Sequence, residues 1–138
     1  MKKILFLCTG NSCRSQMAEG WAKFLHGDRF EFYSAGTTQH GLNPRAVAVM
    51  EEMGIDISGH QSKTVDDIPK EMDVVVTVCS DAHESCPVFP GGKIVHKGFD
   101  DPPRLTSQMT NEDDILAVYR TVRDEIKDYI KNIDQWGT

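Results

Sequence analysis

Polar and apolar positions change period several times along this chain, and each change predicts an element. Residues 3–7 carry Ile4, Leu5, Phe6 and Leu7 in succession, the pattern of a strand covered on both faces. From residue 15 to about residue 26 the spacing becomes helical, with Met17, Trp21, Phe24 and Leu25 on one face. Residues 29–33 alternate Phe30 and Phe32 with charged or polar neighbours, which predicts a second strand more exposed than the first. Asn43 is placed to cap a helix with Pro44 in its first turn, running to about Met53 and stopped by Gly54. The β-branched run at residues 73–78 predicts a central strand buried on both faces, with Cys79 at its C-terminal end. Residues 93–95 suit a short fourth strand. Asn111 then opens a long helix whose apolar stripe is Ile115, Val118, Tyr119, Val122, Ile126, Tyr129, Ile130 and Ile133.

Alternating strands and helices, with no repeat, low-complexity tract or linker, predict an open α/β sheet in one domain spanning residues 1–138. That length buries a core without help from disulfides or metal. In open parallel sheets ligands bind beyond the carboxyl ends of the strands, where Cys8 and Cys79 both fall. A net charge of -6 and a pI near 5.3 argue against nucleic acid or an anionic membrane as partner, so a small anionic substrate needs a local positive pocket. The first apolar run is too short for a signal-peptide core, and no stretch approaches the roughly 20 apolar residues of a membrane span. A cytoplasmic, monomeric protein is expected. Its four cysteines are then catalytic, metal-binding or inert rather than a disulfide framework.

Chemistry concentrates where the first strand meets the first helix. Residues 8–14 read Cys-Thr-Gly-Asn-Ser-Cys-Arg. A short loop of this kind can turn successive backbone N–H groups of Thr9, Gly10, Asn11, Ser12 and Cys13 onto a tetrahedral anion while the helix aims its positive end at the same point. Gly10 eases the tight path, and Arg14 adds a planar fork that holds two oxygens at once. The same donors face the Cys8 sulfur, and since a thiolate is the nucleophilic form, the loop that holds the anion also activates its attacker. Ser12 and Ser15 offer hydroxyls to that sulfur or to a leaving sulfur. Cys13 is read as a structural thiol. The 8/13 and 79/86 cysteine pairs lack the short spacing of common zinc sites, so no metal is expected. The scattered histidines receive no catalytic role. Trp21 is assigned to the core and Trp136 to a C-terminal tail.

The stretch CTGNSCRSQMAEGWA, then YSAGT, the Asn43-Pro44 pair, IDIS at 55–58, VVTVCSDA, SCP at 85–87 and GFDDP at 98–102 together resemble the thioredoxin-coupled arsenate reductases built on the low-molecular-weight tyrosine phosphatase fold. The resemblance spans nearly the whole chain. It implies a three-layer α/β fold with a four-stranded parallel sheet flanked by helices. It further implies that Cys8 attacks arsenate, that Arg14 and the amides of the 9–15 loop bear the oxyanion charge, and that Asp101 protonates the departing oxygen. The choice of Asp101 over Asp100 rests on the resemblance, and Pro102 holds Asp101 extended. Cys79 would expel arsenite by forming a Cys8–Cys79 disulfide, and Cys86 would carry the bridge outward as Cys79–Cys86 for thioredoxin to reduce, with no bound cofactor. Glutathione with glutaredoxin is the alternative reductant. Phosphate is expected as a weak mimic of arsenate.

Some members hold potassium at positions matching Asn11, Glu19, Ser34, Gln61 and Lys63. Here a lysine stands where they have an acid, so no specific potassium site is expected, and the Lys63 ammonium is a candidate for the niche beside Glu19. The loop alone is shared with the phosphatases, so two other readings stand beside the reductase. One is a tyrosine phosphatase working through a Cys8 phosphocysteine, and the other is a non-catalytic oxyanion or redox sensor.

Overall fold

The apolar runs become the interior of one parallel sheet in the computed structural model, which describes residues 1–78 and 92–136. Its strands are β1 (Lys2–Cys8), β2 (Phe30–Gly36), β3 (Val74–Thr77) and β4 (Lys93–His96), in the order β2-β1-β3-β4. Helices α1 (Arg14–His26), α2 (Pro44–Glu51), α3 (Pro102–Leu105) and α4 (Glu112–Lys131) complete the regular elements, with 3₁₀ turns at Val65–Asp67 and Ile133–Trp136. The continuous runs occupy the two inner strands, as burial on both faces requires, while alternating β2 and polar β4 take the edges.

Successive residues of each strand feed opposite cores. Ile4, Phe6, Phe32, Val74 and Val76 pack beneath α1, α2 and α4, whereas Leu5, Leu7, Ala35 and Val75 meet Ile68 and Met72 on the other face. Parallel pairing sets the register that matters for the site. Leu7 lies opposite Ala35 and Thr77, and Cys8 lies opposite Gly36. The ends of β1, β2 and β3 therefore converge.

Asn43 caps α2 as expected, its side chain accepting from the backbone N–H of Arg45 and Ala46. The helix stops at Glu51 rather than Met53, and a turn closes through Gly54 at φ +77°, a conformation glycine adopts without strain. Asn111 accepts from the Asp114 N–H and caps α4, whose first turn carries Glu112, Asp113 and Asp114 against the helix dipole. Ile115, Tyr119, Val122, Ile126 and Ile130 are buried along it; Val118 and Tyr129 are half-buried, and Ile133 falls in the 3₁₀ turn that follows.

Two apolar assignments change. The buried stripe of α1 centres on Ala18, Trp21 and Ala22, and Phe24, at its margin in the last turn, is 62% exposed, touching Trp21 only edge-on. Trp136 is no tail residue. The final 3₁₀ turn folds it back so that its ring stacks on Tyr129 at 4.5 Å and meets Phe6 edge-on, and Lys93 Nζ donates to its carbonyl at 3.1 Å. A large aromatic near a chain end gains more by burial than by exposure, which the helical period does not reveal because the helix has already ended. No described helix is long and apolar enough to cross a membrane.

Candidate active site

The loop between β1 and α1 depends on one residue in an uncommon conformation. Asn11 has φ +48°, which asparagine tolerates better than most side chains, and it is fully buried. Its Oδ1 accepts from the Lys63 backbone N–H at 2.7 Å and from Gln16 Nε2 at 2.9 Å. That fixes its amide the other way round, with Nδ2 donating to Ser15 Oγ at 2.9 Å. Ser15, already accepting, has its proton free for Cys8 Sγ, 2.9 Å away. Asn11 and Ser15 thus sit behind the loop, shaping it and addressing the sulfur, while Cys8, Thr9, Gly10, Ser12 and Arg14 face a cavity of about 490 Å³.

Gly36 shows how tightly the neighbouring strand supports this loop. A Cβ on it would lie 2.5 Å from the Thr9 carbonyl oxygen and 2.9 Å from the Asn11 nitrogen. We expect Gly36→Ala to displace the loop and to cost about 1–3 kcal/mol, as overpacking does. Thermal unfolding checks it, and an unchanged midpoint would mean the loop yields freely.

Arg14 opens α1 and is buried. Its Nη1 donates to the Phe99 carbonyl at 3.2 Å and the Val78 carbonyl at 3.5 Å, and its Nη2 lies 3.7 Å from Asp101 Oδ2. The guanidinium therefore joins the loop to the chain at the end of β3 and to the segment before α3. Asp101 caps α3 in an extended conformation, as Pro102 requires, with its carboxylate a quarter exposed at the cavity. Asp100 is exposed and lines a separate groove with Tyr129 and Asp128. Cys13 is buried in the cavity wall, and burial, with the Asp101 charge second, pushes its thiol far up from the ordinary range. This neutral thiol fits the structural role read from the sequence.

Two polar cavity residues escaped the sequence reading. His40 follows β2; its backbone N–H donates to the Gly10 carbonyl at 3.1 Å, its Nε2 pairs with Thr38 Oγ1 at 2.9 Å, and its ring covers Gly10 so closely that a Cβ there would come within 2.3 Å of Nδ1. Arg104 stands at the rim, one turn beyond Asp101. No spacing motif marks either residue. The available signal was topological, because in a parallel sheet the segment after β2 must pass the loop after β1.

The residue types, the strand-loop-helix context and the buried arginine match a family model described as low molecular weight phosphotyrosine protein phosphatase over residues 3–135. The chain belongs to that family. Within it, the chain is 51% identical over 138 residues to the arsenate reductase of Bacillus subtilis (strain 168), covering 99% of this chain and 97% of the relative. A solved arsenate reductase in the reduced state is 35% identical, superposes with a TM-score of 0.77 and covers all of both chains. The low molecular weight protein tyrosine phosphatase from T. tengcongensis is 26% identical with a TM-score of 0.71, covering 98% of this chain and 99% of that one. The four-stranded parallel sheet with flanking helices agrees with these neighbours.

Behind the family's loop, buried Glu19 gathers cations. Its Oε1 accepts from Ser34 Oγ and lies 3.9 Å from Lys63 Nζ, while its Oε2 pairs with Lys23 Nζ; Lys63 Nζ also donates to the Gln61 carbonyl at 2.8 Å. Among the described residues no cluster of three or more His, Cys, Asp or Glu side chains is placed to hold a metal. Cys79, His83 and Cys86 lie outside the described residues.

Proposed function

We propose that this chain is an arsenate reductase that turns arsenate into arsenite by a three-cysteine relay and is regenerated by thioredoxin in the cytoplasm, working as a monomer without a bound cofactor. The observation that carries this reading is the juxtaposition of Cys8, Arg14 and Asp101 around one cavity in a chain half identical, over its length, to proteins named arsenate reductase. Arsenate and phosphate have the same shape and charge, so binding does not separate reductase from phosphatase; only arsenic(V) is reduced by thiols.

In the first step the Cys8 thiolate attacks arsenic and an oxygen departs as water, protonated by Asp101, with Arg14 and the loop amides bearing the oxyanion charge. Cys79 as thiolate then attacks the Cys8 sulfur. The arsenic–sulfur electron pair stays with arsenic, which leaves as arsenite, and a Cys8–Cys79 disulfide forms. Attack by Cys86 on Cys79 frees Cys8 as thiolate and moves the bridge to Cys79–Cys86, which the dithiol of thioredoxin reduces. Strand register supports the second step: Val78 donates its N–H to the Leu7 carbonyl at 2.9 Å, beside the start of the loop, and Cys79 is the next residue in sequence.

A phosphatase is the second reading, favoured by the same loop, arginine and aspartate and by the T. tengcongensis neighbour. Steady-state arsenite production with thioredoxin, thioredoxin reductase and NADPH, measured beside hydrolysis of an aryl phosphate, separates the two. We expect sustained arsenite production and weak hydrolysis; hydrolysis without arsenite would overturn the reductase. Replacing thioredoxin by glutathione and glutaredoxin tests the reductant. We also propose that Lys63, near Glu19, stands in for the cation that some family members bind. Calorimetry should then show no potassium uptake, and potassium binding with sodium inert would refute the idea.

A further inference from the structure

Arsenate and phosphate approach this chain against a net charge of -6. The charges inside the cavity do not overcome that repulsion. The Cys8 thiolate that the proposed reaction needs balances Arg14 even when Asp101, 3.7 Å from the guanidinium, carries the proton it donates. Loop amides hold an anion once it has arrived, but dipoles act over shorter range than a full charge. In the adjoining groove, Arg45 is engaged bidentately by Glu112 at 2.9 Å on both arms. His40 packs on Gly10 and pairs with Thr38.

Arg104 remains. It lines the Cys8 cavity from the rim, exposed, and among the described residues its side chain takes no hydrogen-bond or ion-pair partner. The turn that carries it is braced: Pro102 and Pro103 begin it, Leu105 N–H donates to the Asp101 carbonyl at 3.0 Å, and Thr106 closes it through its N–H at 3.0 Å and its Oγ1 at 2.8 Å to the Pro102 carbonyl. The turn thereby holds Arg104 one turn from Asp101, at the wall of the cavity that Cys8 also lines. We infer that Arg104 is an anion-capturing residue, supplying the uncompensated positive charge that draws a tetrahedral dianion onto the loop. This deepens the reductase reading by naming the group that recruits its substrate, yet it holds for any oxyanion used by the site.

The experiment compares alkylation of Cys8 by iodoacetate, an anion, and by iodoacetamide, its neutral counterpart. Rates are followed by mass spectrometry of the Cys8 peptide at about pH 8, where an ordinary imidazole carries little charge. Arg104→Gln should lower the iodoacetate rate about fivefold or more while leaving the iodoacetamide rate unchanged, and Arg104→Lys should keep the wild-type ratio. The wild-type ratio should fall as salt rises from about 0.02 to 0.3 M, and the Gln variant's should stay nearly flat. An unchanged ratio in Arg104→Gln, or equal slowing with both reagents, overturns the inference; equal slowing would mean that the side chain supports the thiol or the turn instead. Because neither reagent is reduced, these outcomes do not depend on the reductase reading. In the arsenate assay the same variant should raise KM about fivefold and leave kcat within about twofold. A fall in kcat at constant KM would contradict capture.

Discussion

Cys8→Ser protein is expected to produce no arsenite and hydrolyse no aryl phosphate above background, a loss on the order of 10⁴-fold or more, as for other essential nucleophiles. A serine hydroxyl at position 8 stays protonated, because an alcohol is far less acidic than a thiol and a poorer nucleophile. Ser15, which already receives the Asn11 amide proton, has only its own hydrogen to offer the atom at position 8. Anion binding should persist, since Arg14 and the loop backbone are untouched; calorimetry with phosphate is the check. The exchange of sulfur for oxygen removes little volume, so the thermal midpoint should move only slightly, and lost activity then reports chemistry rather than unfolding. Retention of either activity would mean that another group attacks and that the loop has been misread.

The sheet was legible because its inner strands are continuous apolar runs and its helices carry long stripes or clear caps. Residues 73–78 could hardly be anything but an inner strand, and Asn43 and Asn111 cap as read. Legibility failed where tertiary packing overrides period. Phe24 lies on the apolar side of α1 by spacing and still faces solvent, and Trp136 looked like tail sequence until a 3₁₀ turn stacked it on Tyr129. No element was expected after Asp101, yet Pro102 and Pro103 open the short helix α3, because proline's fixed φ and missing N–H suit the first turn of a helix.

Within the site, Cys8 and Arg14 were named from residue type and order and Asp101 from the family resemblance, and the three line one cavity. The hydrogen bonds that place them were not legible. Gln16 shapes Asn11 from the helix that follows and Lys63 from a distant part of the sequence, and Gly36 leaves room for Thr9 by lacking a side chain. His40 and Arg104 reach the cavity only because separate strand ends converge there, which no local pattern encodes. Asn11 and Ser15, expected to bind the oxyanion with the rest of the 9–15 loop, do not line the cavity: both are buried behind it, one setting the loop's path and the other addressing the sulfur.

Cys86→Ser should reduce about one arsenate per protein molecule and then stop. The stoichiometry follows from electron count, because arsenic(V) to arsenic(III) takes two electrons and the Cys8–Cys79 bridge yields them without a third thiol. What the variant lacks is the step that frees Cys8. With its sulfur tied to Cys79, the nucleophile is a buried residue in the wall of a cavity about 490 Å³ in volume, where a protein reductant's dithiol has poor access. Thioredoxin-driven turnover should therefore fall by about 10²-fold or more, in line with loss of an essential chemical step, while single-turnover arsenite release keeps its wild-type rate. Cys79→Ser should fail earlier, leaving arsenic on Cys8, whereas Cys13→Ser should keep most activity because that thiol is buried and held neutral. Mass spectrometry after blocking free thiols distinguishes the states directly: a Cys8–Cys79 bridge trapped in Cys86→Ser, and a Cys79–Cys86 bridge in the oxidised wild type. If Cys86→Ser sustains turnover with thioredoxin at the wild-type rate, Cys86 carries nothing and the first disulfide must be reduced from outside.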